Sequence, residues 1–542
     1  MGSISPSPPT LDALIVGAGF GGIYQLKNLR SNNYTVKLVD SASDFGGVWY
    51  WNRYPGARVD SPVPHYEFSD PDLWHDWSFK QRFPGSQEIR EYFAYVDKKW
   101  DLKRDVEFDT VIVGAVFDEE RSVWRVTSSS GKVFVARYLL LNTGFAAKRH
   151  IPDWKGIGSF KGTWIHPSYW PKKEDEPDLR GKKVAVIGTG STGVQLAQEL
   201  IQVAGEFVLF QRTPNLALPM KQINYNQGEQ QEIVPKESYP ALFDGRRESF
   251  PGFDYGFTPR CTFDDTPEER KEMYEELWKH GDFHYWLASY QDMMFNQEAN
   301  KEAYEFWKSK VRPRIQDPRL RDILAPEIQP HGFGCKRISL ENGFYEIFNQ
   351  ANVSLVDVNA TPILEVTERG IKTTEKEWEF DYIVFATGFD AVTGGLLQMG
   401  LQGRGGQSLQ EKWKNGTKTY LGMAVSGFPN MFFTYGPQAP TALCNGPTCA
   451  EYQGDFIIGV LNHMKERGLE RIEASADAED AWGEDIRKFA SATLLPETDS
   501  WYMGANIPGK LREPLVYFGG VPNYYATLES CRKGGYTEFH QV

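Results

Sequence analysis

Two short apolar runs stand out along the chain, each closed by a cluster of glycines. "ALIV" at 13–16 runs into "GAGFGG", and "VAVI" at 184–187 runs into "GTGSTG", about 170 residues later. An unbroken apolar run that stops at glycine predicts a strand covered on both faces. A plausible helix follows each cluster, and then a second apolar run: "TVKLVD" ending at Asp40 and "FVLFQR" ending at Arg212. These are two βαβ openings. "YLLLNTG", ending at Gly144, and "YIVFATG", ending at Gly388, read as further buried strands entering tight turns. Over 266–315 strand alternation disappears. Glu, Lys, Trp and Tyr accumulate there, and Thr266-Pro-Glu-Glu269 forms a capping box with proline at the first helical position.

The expected fold class is α/β, with two Rossmann-like dinucleotide-binding domains. A strand near 430, "MFFTYG", has no sheet to join except the first. The first domain is therefore expected to be discontinuous, covering 1–150 and 380–542. The second would interrupt it over 151–222 and 327–379, with a hinge at 160–171. A helical insertion at 223–326 would sit inside the second.

Composition narrows the function. A chain of 542 residues exceeds what one core serves. A net charge of −13 leaves no basic stripe for nucleic acid. Five cysteines in this length do not make a disulfide framework and suit a reducing compartment. No apolar run approaches the roughly 20 residues of a spanning helix. The opening "MGSISPSPPTLDA" lacks the basic flank and apolar core of a signal peptide. We expect a cytoplasmic monomer with no nucleic-acid or membrane partner.

The glycine clusters carry the first chemistry. Gly17, Gly19 and Gly22 fit G-x-G-x-x-G: one glycine for the turn, one for close approach to pyrophosphate, one for helix packing. Asp40, 23 residues after Gly17, stands where an acid grips a ribose hydroxyl. Gly188, Gly190 and Gly193 repeat the pattern, with Thr192 between them. Here Gln211 replaces the acid and Arg212 follows. An acid would repel a 2′-phosphate, whereas arginine pairs with it, so this loop is expected to prefer NADP. Two such loops suggest two redox cofactors, FAD with NADPH. The stretch "GGVWYWNRYPGARVD" at 46–60 offers Gly47 for close approach, Trp49 to wall a flat ring, and Asp60 at the end of a Pro-Gly turn. It reads equally as an aromatic-braced loop with a solvated aspartate.

At this point the chain resembles the type I Baeyer–Villiger monooxygenases. Phe160, Gly162, His166, Trp170 and Pro171 meet the family's F-x-G-x-x-x-H-x-x-x-W-P. Gly46, Gly47, Trp49, Tyr54, Pro55, Gly56 and Asp60 meet G-G-x-W-x-x-x-x-Y-P-G-x-x-x-D. Ala-Thr-Gly at 386–388 and "SWYMGANIPGK" at 500–510 also agree, so the resemblance spans nearly the whole chain. Asp40 stands where the family more often has glutamate. The resemblance implies FAD and NADPH as cofactors, O2 and a ketone as substrates, a C4a-peroxyflavin as oxidant, and an ester or lactone as product. It implies that His166, in the hinge, couples domain movement to catalysis. It makes Lys336 an NADP phosphate ligand, Arg337 the catalytic group held by Asp60, and Trp501 part of a loop closing over NADP. Within "GCKRISL", neighbours in an extended strand would point opposite ways, which suits two separate tasks. The loop 436–449 is implied to line the substrate pocket, and its small and apolar residues suggest uncharged ketones. The alternative is a related flavin monooxygenase acting on nitrogen or sulfur, against which Trp170-Pro171 speaks. Two other patterns are set aside: Cys444 and Cys449 as a redox pair, and His280 with His284 as a metal site, for which no third ligand is apparent and no metal is expected.

Overall fold

The computed structural model describes residues 10–226, 229–441 and 443–542. The first nine residues, most of the opening stretch analysed above, lie outside it, as does Ala442 of the loop 436–449. The two apolar runs become the centres of two sheets. Strand Thr10–Val16 lies between Val36–Val39 and Val133–Leu141, parallel to both, with Val16 opposite Val39 and Leu141. Ala13, Leu14 and Ile15 are fully buried, as a strand covered on both faces requires. Met431–Phe433 adds to Val133–Leu141, so a segment far along the chain completes the first sheet.

The second sheet is parallel throughout, in the order Val353–Asp357, Glu206–Gln211, Lys183–Ile187, Tyr382–Phe385, Thr163–Ile165. Two boundaries drawn from sequence change. Tyr382–Phe385 pairs with Lys183–Ile187, so the second domain runs past 380 to the Ala-Thr-Gly turn. Thr163–Ile165, inside the expected hinge, is an edge strand of this sheet rather than a free linker. Phe160 packs with Trp154 and Phe385 against that sheet's core, and Trp170 is buried with its indole N–H donated to Glu176. The fingerprint's aromatics are thus anchors of the second domain.

The true crossing lies just beside the fingerprint. Residues 148–150 and 388–390 run antiparallel, with His150 N–H donated to Gly388 O (2.9 Å) and Asp390 N–H to Lys148 O (2.8 Å). Both passages between domains occur at this ribbon. The helical insertion includes Pro267–Lys279, opened by the Thr266/Glu269 capping box, and Gln297–Val311, capped by Asn296. It docks on the first domain through the buried Arg246, whose guanidinium donates to Pro64 O and His65 O at 3.1 and 3.0 Å.

The turn at Tyr54–Gly56 clasps the two domains. Tyr54 Oη donates to Gln195 Oε1 (2.8 Å) and lies 3.2 Å from Thr192 Oγ1, both on helix Ser191–Leu200 of the second domain. Gly56 has φ +81°, and a Cβ there would stand 2.9 Å from Gln195 O and 2.7 Å from Glu199 Cγ. Both the backbone angle and the close approach therefore demand glycine. Gly56→Ala is expected to lower the thermal midpoint and to raise the KM for NADPH while flavin content stays near normal. Differential scanning fluorimetry and steady-state kinetics check this.

Candidate functional site

The first glycine loop opens a cavity of about 940 Å³. That size suits a dinucleotide with room beside it for a small second molecule. Gly17, Gly19, Asp40, Gly47, Trp49, Asp60, Arg337 and Trp501 all line it. Gly22 does not, because its task is packing: a Cβ there would stand 1.8 Å from Gly17 O. Gly19 and Gly47 meet backbone to backbone, since a Cβ on Gly47 would lie 2.8 Å from Gly19 Cα. Asp40 is buried, and its two carboxylate oxygens accept from the N–H groups of Ala18 (2.5 Å) and Ala42 (2.7 Å). Burial raises its pKa against those two donors.

Helix Phe20–Ser31, after the first loop, and helix Ser191–Leu200, after the second, begin at glycine with no side-chain cap. The helices that begin at Thr266, Asn296, Asn445 and Ser475 have side chains that bond the first turn, whereas Ser86–Trp100 and Val521–Lys533 also open at glycine without such a cap. The two fingerprint helices thus leave their first N–H groups open to an anion, which is what a pyrophosphate needs. At the second loop, Gly188 (φ +107°) and Gly193 would clash with Ala386 O and Gly188 O if either carried a Cβ. Lys336 is pulled down to about 8 by burial and then by the nearby charge of Arg212. Two cations facing each other make a slot for an anion such as a 2′-phosphate.

Arg337 and Asp60 meet at the cavity wall. Arg337 Nη2 and Nε lie 2.7 and 2.9 Å from Asp60 Oδ2, and both side chains keep 24% of their surface exposed. The attraction of such a pair is about 4 kcal/mol, comparable to the desolvation of its two members. It therefore fixes position more than it adds stability. Burial opposes the arginine's charge, but Asp60, Tyr502 and Tyr435 outweigh it, and the pKa is raised. The ring of Phe283, from the helical insertion, lies 5.4 Å from the guanidinium carbon. Lys336 and Arg337 do not sit in a strand as expected. The chain turns at Gly334 (φ +78°), packed on Trp286, and regains strand geometry at Leu340. That turn sends the two side chains to different loops.

Trp501 stacks on Phe145 at 5.2 Å in the cavity wall. Its loop is tied to the crossing ribbon by Lys510 Nζ to Asp390 Oδ1 (2.7 Å) and Asn506 Nδ2 to Phe389 O (2.8 Å). His166 does not line the cavity. Its Nε2–H donates to Gly388 O (3.0 Å) and its Nδ1 accepts from Ser168 Oγ (2.9 Å). It therefore bolts the fingerprint to the crossing ribbon. Tyr54, Phe145 and Phe283 are contacts that the sequence reading did not assign. Tyr54 lies within the quoted motif, whereas nothing local marks the other two.

These features match known proteins. Residues 12–227 match the flavin-binding monooxygenase-like family model. Cyclopentanone 1,2-monooxygenase of Comamonas sp. (strain NCIMB 9872) is 47% identical, the alignment covering 98% of this chain and 96% of that protein. A Baeyer–Villiger monooxygenase of Pseudooceanicola batsensis is 37% identical over 97% of this chain and 95% of its own length. The chain belongs to the Baeyer–Villiger monooxygenase family. A crystal structure of OTEMO with FAD and NADP superposes with a TM-score of 0.94 at 34% identity, covering 99% of this chain and all of that one.

Two side clusters of this Baeyer–Villiger chain lie apart from the cofactor loops. The expectation that His280 and His284 lack a third ligand is overturned, since Asp282 brings its carboxylate within 4.8 Å of both. That carboxylate already binds His284 Nδ1 (2.7 Å) and Arg82, and the two imidazoles stack at 3.9 Å with planes 9° apart. In-plane lone pairs of stacked rings do not converge on one ion. Cys444 and Cys449 are buried together, and burial pushes the Cys449 thiol well up. Among the described residues no helix is long and apolar enough to cross a membrane.

Burial lowers the pKa of His166 to about 4. Between about 4 and the unfolded value near 6.5, the unfolded chain binds the extra proton, so stability falls as pH drops through that window. His166→Gln should flatten the slope of thermal midpoint against pH between 6.5 and 4.5. Melting curves across that range test it.

Proposed function

We infer that this chain is an FAD- and NADPH-dependent Baeyer–Villiger monooxygenase that converts ketones to esters or lactones with O2. The observation that carries the reading is one cavity, opened by an uncapped glycine loop, whose wall holds a permanently charged guanidinium pinned by a carboxylate. The residues fit the cofactors. Gly17, Gly19, Asp40, Gly47 and Trp49 would hold FAD; Gly188, Gly190, Thr192, Gly193, Arg212 and Lys336 would hold NADPH.

Bound there, FAD supplies hydride uptake from NADPH and activation of O2 for transfer to the ketone. Arg337 supplies positive charge where oxygen becomes negative during that transfer. It suits the task because a guanidinium keeps its proton at any working pH. Asp60 holds Arg337 at the wall, so little reorganisation is left for the reaction itself. Trp501 and Phe145 cover the cavity and limit water, which protects a reactive oxygen species from discharge. The small residues of 436–449 favour uncharged aliphatic or cyclic ketones. We place the enzyme in the cytoplasm as a monomer.

Arg337→Ala is expected to retain flavin, by its visible spectrum, and to lose about 10²–10³ in ester formation. Gas chromatography of cyclopentanone reactions reads this, and undiminished ester would remove Arg337 from the chemistry. Arg212→Ala should raise the KM for NADPH about ten-fold or more and leave that for NADH nearly unchanged. Equal effects on the two coenzymes would contradict the 2′-phosphate assignment.

A further inference from the structure

Several cationic side chains reach the cavity wall, and they differ in what balances their charge. Arg337 is held by Asp60 at 2.7 Å and Lys148 by Asp390 at 3.1 Å. The Arg58 side chain makes no hydrogen bond or ion pair among the described residues, so nothing fixes it. Arg149 is fixed in place yet has no counter-charge. Its Nε donates to Ser168 Oγ (2.6 Å) and its Nη2 to Ser168 O (3.3 Å). Ser168 thus accepts from two of the guanidinium's donors, fewer than it carries. The guanidinium carbon lies 2.9 Å from the ring centre of Tyr169 and 5.5 Å from that of Trp51. Arg149, Trp51, Ser168 and Tyr169 all line the cavity, and among the described residues no carboxylate pairs with Arg149.

Burial pulls the pKa of Arg149 down to about 10, the direction a cation takes when no acid answers it. The group still stays charged at working pH. A dinucleotide in the cavity would supply the balancing charge. Its pyrophosphate carries a negative charge on each phosphate, and the uncapped end of helix Phe20–Ser31 offsets only about half an elementary charge. The loop 17–22 itself holds no lysine or arginine. A cation must therefore come from elsewhere on the wall. Trp51 bears on where Arg149 stands. It ends the single-turn helix Val48–Trp51, which starts at Gly47, and Gly47 abuts Gly19 of the phosphate loop. That turn rises only about 6 Å, which puts Arg149 on the phosphate-loop side of the cavity.

We propose that Arg149 is a further cofactor-binding residue, whose guanidinium pairs with the pyrophosphate of FAD. The inference rests on the function proposed above. It also links the fingerprint to the cofactor. Ser168 Oγ accepts from Arg149 and donates to His166 Nδ1, and His166 Nε2–H donates to Gly388 O. One chain of hydrogen bonds would then run from the flavin's phosphates through the fingerprint to the crossing ribbon.

The test compares Arg149→Met, which keeps a long stem and loses the charge, with Arg149→Lys, which keeps the charge. FAD-loaded enzyme is diluted at low and at high sodium chloride, and released flavin is read by its fluorescence. Arg149→Met should bind FAD about ten-fold more weakly or worse at low salt. The gap to wild type should narrow at high salt, because screening weakens the wild-type contact. Arg149→Lys should recover most of the affinity, since an ammonium also pairs with phosphate. Unchanged FAD affinity in Arg149→Met would overturn the proposal. So would a loss that ignores salt and is shared by Arg149→Lys, which would mark the arginine as packing for Tyr169 and Trp51. A raised KM for NADPH with FAD held normally would move the contact to the other dinucleotide and overturn the assignment too. A wild-type chain that holds FAD yet makes no ester would sink the parent reading and leave the phosphate contact standing, which tells the two failures apart.

Discussion

Everything in this molecule is arranged around one ion pair contributed from two domains. Asp60 comes from a loop of the first domain and Arg337 from a turn that follows the helical insertion. Neither side chain is near the other in sequence, and their 2.7 Å contact exists only if both domains fold and dock. The pair contributes little net stability, because its attraction roughly offsets its desolvation. Its value lies in holding a charge at a cavity wall where water would otherwise compete. The clasp at Tyr54–Gly56, the bolt at His166 and the docking of Arg246 all restrict how the two carriers of that pair can move.

Much of this was legible in the chain. The glycine loops, their strands and Asp40 announce themselves because a backbone approaching phosphate tolerates no Cβ. Arg212 could be read as a phosphate partner because it stands where an acid was expected. Lys336 and Arg337 read as neighbours in a strand with opposite faces, but a turn over Trp286, not a strand, separates their side chains. Turns depend on what they pack against, and the glycine's positive φ was invisible without Trp286 beneath it. The fingerprint's proline-flanked aromatics look stiff and irregular, as a linker does. Three of its residues nonetheless find a strand partner in Tyr382–Phe385, about 220 residues away. Asp282 and Phe283 carry no such mark, because nothing in their sequence neighbours signals that they face a distant charge.

The crossing ribbon has a consequence for how the two domains can travel. Both covalent passages between them lie side by side, hydrogen-bonded at residues 148–150 and 388–390. Two bodies whose covalent connections share a single seam would hinge about it like a door once their other contacts loosen. A nicotinamide carried on one leaf would therefore sweep a fixed arc past the other, returning to the same spot on every cycle. Fastening Lys510 to Asp390 places the Trp501 loop on the seam itself, so a swing of the leaf would work the latch.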